Sequence, residues 1–491
     1  MTEEFSDKCE IQENPEIGRY VRAADNIKAG ETLLLEKPVL ILATAGEKRC
    51  CNCFKYAQKY CGKCHLSPLC LDCTQHSEFD CNTLAAMTEL KHEELKKFPD
   101  CYGIIKCLLL SENPEGKEDF SKILQLMSHL EKRRKSAIWQ ERNKQIVQPI
   151  LKSNLKNYFQ LGCKLDEEFL QHLCGVLDVN TYEIRAPDVA SMSGLYLKGS
   201  LLAHQCCPNA NVAIDDLYRI KIYANRDIDK EEMVTNCYTN VLLGTDERRH
   251  ILQEGKYFLC NCPRCADPTE LGSHMSSFIC APCAGNNKEG YIVKQVTNKK
   301  WQCSTCTHSL RSEQVETIID KAKEEVFHAQ DDLRRFEILL AKLSTILHKN
   351  HYIMVDIKQN IANILRTVIM NSLQRPGRRV YERKVRLCQE LVMVLQIIQP
   401  GISRLKAIAL YELANASAEL YRLRFGEKEL TEEELQRYLR QCEAMFKESI
   451  RMLLYEPPQT PEGELMKSMM GQLKDLKNDI QMLEKSVEVK V

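Results

Sequence analysis

The chain has 491 residues, of which 44% are hydrophobic and 28% are charged, a composition typical of a soluble globular protein with several domains. Its 68 Lys and Arg residues balance 68 Asp and Glu residues, so its net charge attracts neither nucleic acid nor an anionic membrane. Residues 1–4 (Met-Thr-Glu-Glu) have an acidic balance and begin no apolar segment, so we expect no secretory signal. The longest apolar run, 391–398, is far too short to span a bilayer. We therefore expect the 25 cysteines to bind metal in a reducing compartment instead of forming disulfides.

The first half of the chain alternates between strand-like and helical sequence. Short strands are predicted between about residues 18 and 40, where Gly30 interrupts the pattern. Residues 50–81 hold eight cysteines and few apolar residues, which predicts a small module that metal must hold together. Leu, Lys and Glu at helical spacing predict helices from about 82 to 175, and strand-like sequence returns from about 189 to 239.

The chain beyond Ser312 is typical of antiparallel helices like those of helical repeats. Thr431 and Glu434 form a predicted capping box, and Gly426 is the expected C-cap of the helix before it. Apolar residues in the last helix recur at alternating spacings of three and four, which predicts the buried face of a bundle helix. A coiled-coil seam is the alternative interpretation of this stripe, which comprises Met466, Met469, Leu473, Leu476, Ile480 and Leu483.

Three groups of cysteines have the spacing of zinc ligands. The first group offers enough donors for two tetrahedral ions: Cys50, Cys53, Cys61, Cys64, Cys70, Cys73, His76 and Cys81. Cys51 falls outside the pattern and is predicted to bind no metal. Pairs this close together, with so little apolar sequence around them, favour zinc over free thiols in an ordinary core.

The second group is one ligand short of a closed site. Cys260, Cys262 and Cys265 need a fourth donor from elsewhere, and we predict Cys206 in preference to its neighbour Cys207. A zinc ion held in this way would fasten a distant loop to the segment that follows it. Structural zinc contributes on the order of 10 kcal/mol, enough to order such a segment outright.

The third group has the spacing of a zinc ribbon and needs no outside ligand. It consists of Cys280, Cys283, Cys303 and Cys306. With it, the chain is predicted to bind about four zinc ions. All of these sites are closed, so zinc is predicted to be structural, because a catalytic zinc keeps an open position.

A basic run, Lys132 to Lys135, allows two interpretations. It fits a nuclear-import or nucleic-acid patch. Glu131 and the helical sequence around the run favour a solvated helix face instead. Because few basic residues accompany the first cysteine group, sequence-specific DNA binding by the fingers is not expected.

Four further segments, with these clusters, resemble the SMYD family, lysine methyltransferases whose SET domain is split by a MYND zinc finger. Residues 179–184 (Val-Asn-Thr-Tyr-Glu-Ile) resemble the family's Asn-x-Phe segment, and residues 258–260 (Phe-Leu-Cys) resemble its Phe-x-Cys. Residues 200–209 (Ser-Leu-Leu-Ala-His-Gln-Cys-Cys-Pro-Asn) resemble Ser-Leu-Leu-Asn-His-Ser-Cys-x-Pro-Asn. Residues 231–238 (Glu-Glu-Met-Val-Thr-Asn-Cys-Tyr) resemble Gly-Glu-Glu-Leu-Thr-x-Ser-Tyr. The third cysteine group is similar to one found in arthropod-type members.

The resemblance covers nearly the whole chain and implies an α+β multidomain fold. A SET-type β-fold would be split by a MYND-like zinc finger, followed by a post-SET zinc tail and a carboxy-terminal helical, TPR-like domain. The implied domains are a SET amino-terminal part, the finger, a helical insert, the SET core, the post-SET tail with the extra zinc module, and the helical domain. Their expected boundaries are 1–49, 50–81, 82–175, 176–256, 257–310 and 311–491.

The resemblance also implies an S-adenosylmethionine-dependent protein-lysine N-methyltransferase that acts on a histone or another protein. Tyr238 would be the catalytic tyrosine, which orients the acceptor amine. The residues that would surround the cofactor are Gly18, Arg19, Asn180, Ser200, Leu202, His204, Tyr238 and Phe258. We expect His204 to shape its loop instead of acting as a base. The family further implies a distribution between cytoplasm and nucleus, and a role in chromatin regulation.

Two residues depart from the family pattern. The second glycine of Gly-x-Gly is Tyr20 here, although glycine lets backbone approach the cofactor closely. The asparagine of the Asn-His pair is Ala203, which removes an amide near the polar end of the cofactor. Loss of one such hydrogen bond costs about 1–3 kcal/mol, so affinity would fall without vanishing.

A second hypothesis follows from these departures. The chain would then be a zinc-stapled adaptor without catalysis, in which the finger binds proline-containing peptides and the helical domain offers a concave surface, with a role in transcription. Tyr238, Asn180 and the complete post-SET cysteine set favour the enzyme. Its partner would be a protein that presents a lysine, and we expect neither a membrane nor nucleic acid as a partner.

Overall fold

A computed structural model of the chain describes residues 4–43, 45–159, 164–186, 189–295 and 299–488. Residues 1–3, which belong to the amino-terminal segment discussed above, lie outside the described ranges. Within those ranges, no helix combines the length and the apolar character that crossing a bilayer requires. Strands and helices mix in the first two thirds of the chain, and the rest is helical, which confirms the predicted α+β multidomain class.

The chain begins with four strands and a small finger. The strands are β1 (Cys9–Asn14), β2 (Gly18–Ala23), β3 (Thr32–Glu36) and β4 (Leu40–Ala43). The finger contributes two very short strands, β5 (Lys59–Tyr60) and β6 (Pro68–Leu69). So little regular structure in the finger agrees with a module that depends on metal ligation.

A helical segment follows the finger. Its helices are α1 (Glu78–Ala85), α2 (His92–Lys96), α3 (Cys101–Glu112), α4 (Lys117–Leu124), α5 (Leu130–Arg133), α6 (Ala137–Arg142), α7 (Gln148–Lys152) and α8 (Glu167–Asn180). A π-helical turn, Asn143–Val147, joins α6 to α7. The finger and these helices share one hydrophobic core, in which Leu66 and Leu69 of the finger accompany Ile105 and Leu108 of α3.

Six strands and two helices complete the central part of the chain. The strands are β7 (Thr181–Ala186), β8 (Val189–Leu195), β9 (Ala203–His204), β10 (Ala210–Ile214), β11 (Ile220–Ala224) and β12 (Thr235–Asn236). The helices are α9 (Thr245–Lys256) and α10 (Pro263–Ala266). The expected domain boundary at 175/176 falls within α8, which carries Asn180 as its last residue.

Small sheets combine strands from before and after the finger. In one sheet β11 lies between β10 and β3, and in another β8 lies between β4 and β7. β9 and β12 pair in parallel, so that Thr235 lies opposite Ala203 and Asn236 opposite His204. Alternating apolar residues such as Ile220 and Ile222 fill the core between these sheets. The two halves of the divided β-fold therefore form a single unit.

The rest of the chain is a zinc-ribbon-like module and a helical domain. The module contains β13 (Phe278–Ile279), α11 (Ala281–Gly285), β14 (Tyr291–Lys294), β15 (Trp301–Cys303) and β16 (Ser309–Leu310). The helices are α12 (Ser312–Ala329), α13 (Leu333–Leu343), α14 (Tyr352–Asn371), α15 (Arg378–Ile398), α16 (Arg404–Gly426), α17 (Glu432–Leu453) and α18 (Pro461–Glu488). Phe278 and Trp301 share a core with residues of α12–α14, so the module packs directly on the helical domain.

Two predictions for the helical domain are confirmed and one is wrong. The capping box of Thr431 and Glu434 is present, and the apolar stripe of α18 packs into a core with α16 and α17. Gly426 is not a C-cap: it is the last helical residue, and the left-handed backbone conformation falls on Lys428, with φ of 61°.

The basic run at 132–135 is not a solvated helix face throughout. Arg133 is fully buried and its guanidinium pairs with Asp178 and donates to the Gln171 carbonyl oxygen. Arg134 behaves as expected and pairs with Glu131 and Glu168 at the surface. All four residues of the run are basic, so the sequence does not distinguish them. Because α5 packs against α8, the Arg133 side chain alone of the four is buried.

Candidate metal clusters and candidate active site

Four groups of thiol and imidazole side chains come together in the described part of the chain. In each group all ligand atoms lie within 4.8 Å of one another. The groups are Cys50, Cys53, Cys70 and Cys73; Cys61, Cys64, His76 and Cys81; Cys206, Cys260, Cys262 and Cys265; and Cys280, Cys283, Cys303 and Cys306. Four donors of this kind suit a tetrahedral zinc ion, and together the groups contain the sixteen predicted ligands.

The finger divides its eight donors between two interleaved groups. The first cysteine pair joins the third pair, with Cys53 Sγ 3.5 Å from Cys70 Sγ. The second pair joins the two residues that follow, with Cys64 Sγ 3.5 Å from His76 Nε2. Cys51 belongs to neither group, as predicted from its position in the spacing. This arrangement connects both ends of the finger. The spacing alone does not show which cysteine pairs share a metal ion.

The third group draws its ligands from two distant parts of the chain. Cys206, and not Cys207, lies with the 260–265 cysteines: its Sγ is 3.9 Å from Cys260 Sγ and 3.5 Å from Cys265 Sγ. Burial raises the pKa of the Cys207 thiol to about 11, which suits an inert side chain. The group therefore connects the loop after β9 to the segment after α9.

A buried ion-pair triad supports this third group. Arg248 and Arg264 are both shielded from solvent and both pair with the Glu270 carboxylate, at 2.9 Å. Arg248 also donates through Nε to Cys206 Sγ at 3.2 Å and through Nη2 to Cys265 Sγ at 3.4 Å. Hydrogen bonds of this kind orient metal ligands and offset the negative charge of a thiolate cluster.

The predicted catalytic tyrosine lies beside this cluster. The backbone N–H of Tyr238 donates to His204 Nδ1 at 3.0 Å, and its hydroxyl donates to the Leu202 carbonyl oxygen. His204 Nε2 lies 3.3 Å from Cys206 Sγ. His204 thus connects the tyrosine to the metal cluster. Its ring centroid is 5.1 Å from that of Tyr238 and 5.8 Å from that of Phe258.

Burial determines the protonation states of His204 and Tyr238. Burial lowers the pKa of His204 to about 4, so its ring is uncharged at neutral pH. Because Nδ1 accepts from a backbone N–H, the proton of the neutral ring is on Nε2, which donates to the Cys206 sulfur. Burial raises the pKa of Tyr238, so its hydroxyl remains a hydrogen-bond donor. His204 therefore connects the Tyr238 backbone to the Cys206 sulfur without carrying charge, and its role in shaping the loop stays a prediction.

The other predicted cofactor residues differ in their contacts and in their exposure to solvent. Ser200 Oγ donates to the Asn180 carbonyl at 3.1 Å, which joins two of them directly. The Asn180 amide nitrogen is committed to the Met127 and Val176 carbonyl oxygens, at 2.8 Å each, so its donors hold α8 to the helical insert. Arg19 is exposed, and its guanidinium donates to the Gln125 carbonyl at 3.1 Å.

Gly18 begins β2 with a φ of +75°, which side-chain-bearing residues rarely adopt, and no atom lies within 4 Å of the position a Cβ would occupy. That free space is where a ligand could approach the backbone. Tyr20, two residues on, lies within the β1–β2 hairpin opposite Gln12.

The sequence of the chain is similar to those of known SET-domain proteins. The family model described as "SET domain" matches residues 18–239. SmydA-8 isoform B of Drosophila melanogaster, a SET domain-containing protein, is 23% identical over 60% of this chain and 66% of its own length. The mouse histone-lysine N-methyltransferase SMYD3 is 25% identical over 50% of this chain and 59% of its own. The N-lysine methyltransferase SMYD2-B of Xenopus laevis is 22% identical over 53% and 62%.

The chain is a SET-domain protein of the SMYD family. The match to SmydA-8 agrees with the expected arthropod-type character. The chain spans less than two thirds of the length of these curated relatives, between 59% and 66%.

Asn209, the last residue of the 200–209 segment, is a site residue that was not among those predicted. The Asn209 side chain is buried and accepts from the Thr235 backbone N–H at 2.7 Å while donating to the Met233 carbonyl at 2.8 Å. It therefore fixes β12, and hence Tyr238, against the loop that carries Cys206. A buried asparagine between two chain segments needs such partners, because an unpaired amide would be costly. Its place in the Cys-x-Pro-Asn segment was the available signal.

Nothing in the sequence indicates that Lys256, a second residue of the site, lies beside Tyr238. It ends α9, and its Nζ lies 5.3 Å from the ring centroid of Tyr238. Nζ donates to the Val179 carbonyl, next to Asn180. In a helix rich in charged residues, one lysine directed inward cannot be distinguished from its solvated neighbours without the fold.

Proposed function

We propose that this SMYD protein is a protein-lysine N-methyltransferase that uses S-adenosylmethionine. The observation that supports it best is the placement of Tyr238. Its backbone is held by His204, its hydroxyl by the Leu202 carbonyl, and both by a loop that Cys206 joins to the third cysteine group. Such a hydroxyl, positioned in advance, is what methyl transfer to an amine requires, because much of the rate comes from alignment.

The groups present suit a cationic cofactor. S-adenosylmethionine, when bound, supplies a methyl group on a positively charged sulfonium. The rings of Tyr238 and Phe258 lie near His204, at centroid distances of 5.1 Å and 5.8 Å, and the Leu202 carbonyl oxygen accepts from the Tyr238 hydroxyl. Aromatic faces and carbonyl oxygens stabilise positive charge. The free space at Gly18, with Ser200, Leu202 and Phe258, would hold the rest of the molecule.

The residues of the chain would act on the acceptor amine by position and by exclusion of water. A lysine side chain has an ordinary pKa near 10.4, so most of it must lose a proton before it can attack. An apolar, aromatic channel lowers the pKa of such an amine by desolvation. Tyr238, which stays protonated, would orient the amine without removing its proton. His204, which is uncharged at neutral pH, would add no charge that repels the sulfonium.

Binding and transfer test the proposal separately. Calorimetric titration of S-adenosylmethionine and S-adenosylhomocysteine into the zinc-replete full chain measures the pocket. A screen with radiolabelled methyl groups and protein substrates then measures transfer. Tyr238→Phe keeps the ring and removes the hydroxyl, so we expect transfer to fall on the order of a hundredfold with cofactor affinity changed only severalfold. Absence of binding at millimolar concentrations of both ligands would eliminate the enzyme and favour the adaptor.

The proposal extends to the substrate, the location and the finger. The substrate would be a histone or another protein with an accessible lysine, found in the nucleus or the cytoplasm. The finger exposes two large side chains, Tyr56 and Leu71, at 61% and 68% of their full area. Exposed aromatic surfaces bind proline-containing segments, which are already extended. A proline-rich peptide should lose affinity for Tyr56→Ser, and unchanged binding would exclude this surface.

A further inference from the structure

The amine of Lys256 lies among the residues proposed for the cofactor. It is 5.3 Å from the Tyr238 ring centroid and donates to the Val179 carbonyl, one residue before Asn180. Its charge also contributes, after burial, to the lowered pKa of His204. A positive group that belongs to the chain itself therefore lies against Tyr238 and beside the segment that carries Asn180.

This positive charge has little compensation. Asp178 is the carboxylate that acts on Lys256, but it is already held by two arginines: Arg142 Nη2 is 2.9 Å from its Oδ1, and Arg133 also pairs with it. Across the described ranges of the chain, no carboxylate forms an ion pair with Lys256 Nζ. A partly buried ammonium without a dedicated counter-ion is costly, which points to a role other than stability.

Resting on the proposed function, we propose that Lys256 sets the charge of the cofactor pocket and thereby discriminates between the sulfonium cofactor and its uncharged thioether product. While its amine is protonated, Lys256 repels the sulfonium, and loss of that proton admits it. The thioether carries no sulfonium charge and is not subject to this repulsion. Two unit charges a few ångströms apart in a protein interior change affinity on the order of tenfold or more.

The proposal gives the pocket a defined pH dependence. Burial lowers the pKa of Lys256 to about 8, so its charge disappears between pH 7 and pH 9. Lys256 contacts the ring of Tyr238, and its charge is coupled electrostatically to His204, His129 and Asp178. Burial lowers the pKa of both histidines and raises that of Tyr238, so none of these three changes charge in that interval.

The experiment measures a ratio of affinities by calorimetry. S-adenosylmethionine and S-adenosylhomocysteine are titrated into the zinc-replete full chain at pH 7 and at pH 9. In the wild type, we expect the affinity for the sulfonium relative to the thioether to rise on the order of tenfold between the two pH values. Lys256→Met keeps the apolar stem and should give the high ratio at both pH values. Lys256→Arg should give the low ratio at both.

Lys132→Met is the matched control. Lys132 donates to the Tyr257 carbonyl at 2.9 Å but is exposed, so its loss removes the same charge from beside the pocket without changing its interior. This variant should keep the pH dependence of the wild type. A ratio that changes with pH as much in Lys256→Met as in the wild type would overturn the inference and leave the methyltransferase intact. Absence of binding of both ligands to every variant would overturn both.

Discussion

Two of the four cysteine clusters differ in how far apart along the chain their ligands lie. Cys280, Cys283, Cys303 and Cys306 come from adjoining turns of one small module. The cluster of Cys206, Cys260, Cys262 and Cys265 joins positions 54 to 59 residues apart. The first closes only its own short hairpins, whereas the second closes a loop that includes β10, β11, β12 and α9.

The difference shows what each metal ion would stabilise. Around the ribbon-like cluster, the nearest hydrogen bond to a sulfur is local, from the Thr305 backbone N–H to Cys303 Sγ at 3.3 Å. Around the long-range cluster, the sulfur of Cys206 contacts His204, and through it the proposed catalytic Tyr238. Loss of metal from the long-range cluster should therefore disturb the pocket, whereas loss from the ribbon-like cluster should not.

The sharpest test of this difference compares Cys206→Ala with Cys306→Ala. Each variant should lose one of about four zinc ions, measured by elemental mass spectrometry. Because structural zinc contributes on the order of 10 kcal/mol, Cys206→Ala should lose several kcal/mol of unfolding free energy. It should also lose most of its affinity for S-adenosylhomocysteine. Cys306→Ala, at an exposed ligand of the other cluster, should bind the ligand like the wild type. Equal loss of binding in both variants would refute the distinction.

The second prediction concerns Arg248, which donates hydrogen bonds to the long-range cluster but is not one of its ligands. Arg248→Met leaves Glu270 paired only with Arg264 in the interior, and breaking a buried ion pair costs about 3–5 kcal/mol. Arg378 is the matched control because it too serves several carboxylates, but at the surface. Arg378→Met should change the free energy of unfolding little, because exposed ion pairs are screened by solvent. Urea unfolding of both variants measures the contrast, and similar losses would contradict it.

The third prediction concerns the junction between the ribbon-like module and the helical domain. Burial lowers the pKa of His351 to about 3, well below its value of about 6.5 in an unfolded chain. The unfolded chain therefore binds a proton that the folded chain does not, and stability decreases as the pH falls below 6.5. At about 1.4 kcal/mol per pH unit, His351 alone should account for about 2 kcal/mol lost by pH 5.

His351→Asn isolates that contribution from acid release of zinc. Its side-chain oxygen can replace Nδ1, which accepts the Ile353 N–H at 3.3 Å as the cap of α14, but it does not titrate. Both proteins contain the same cysteine clusters, so the difference between their unfolding free energies should change by about 2 kcal/mol from pH 7 to pH 5. A constant difference would show that His351 is not titrating.

The cysteine sets and the two strand-rich regions were predictable because both appear as local patterns in the sequence. The spacing Cys280-x2-Cys283 is by itself typical of a zinc site. Cys206 was assigned to the 260–265 group because that group lacks a fourth donor. Lys256 and Arg133 were not predictable, since the direction of a long charged side chain depends on which helix packs against it. The interleaving of the finger was hidden for a related reason: each of its cysteine pairs has the same spacing.

The smallest expected effect concerns Ala203, one of the two departures from the family pattern. Ala203 belongs to β9, follows the Leu202 whose carbonyl binds the Tyr238 hydroxyl, and precedes His204. If the missing amide weakens cofactor binding, Ala203→Asn should raise the affinity for S-adenosylhomocysteine about tenfold, the equivalent of one hydrogen bond. Ala281→Asn, exposed in the ribbon-like module, makes the same chemical change away from the pocket and should have no effect. Equal affinities in calorimetry for Ala203→Asn and the wild type would exclude Ala203 from the ligand-contacting surface.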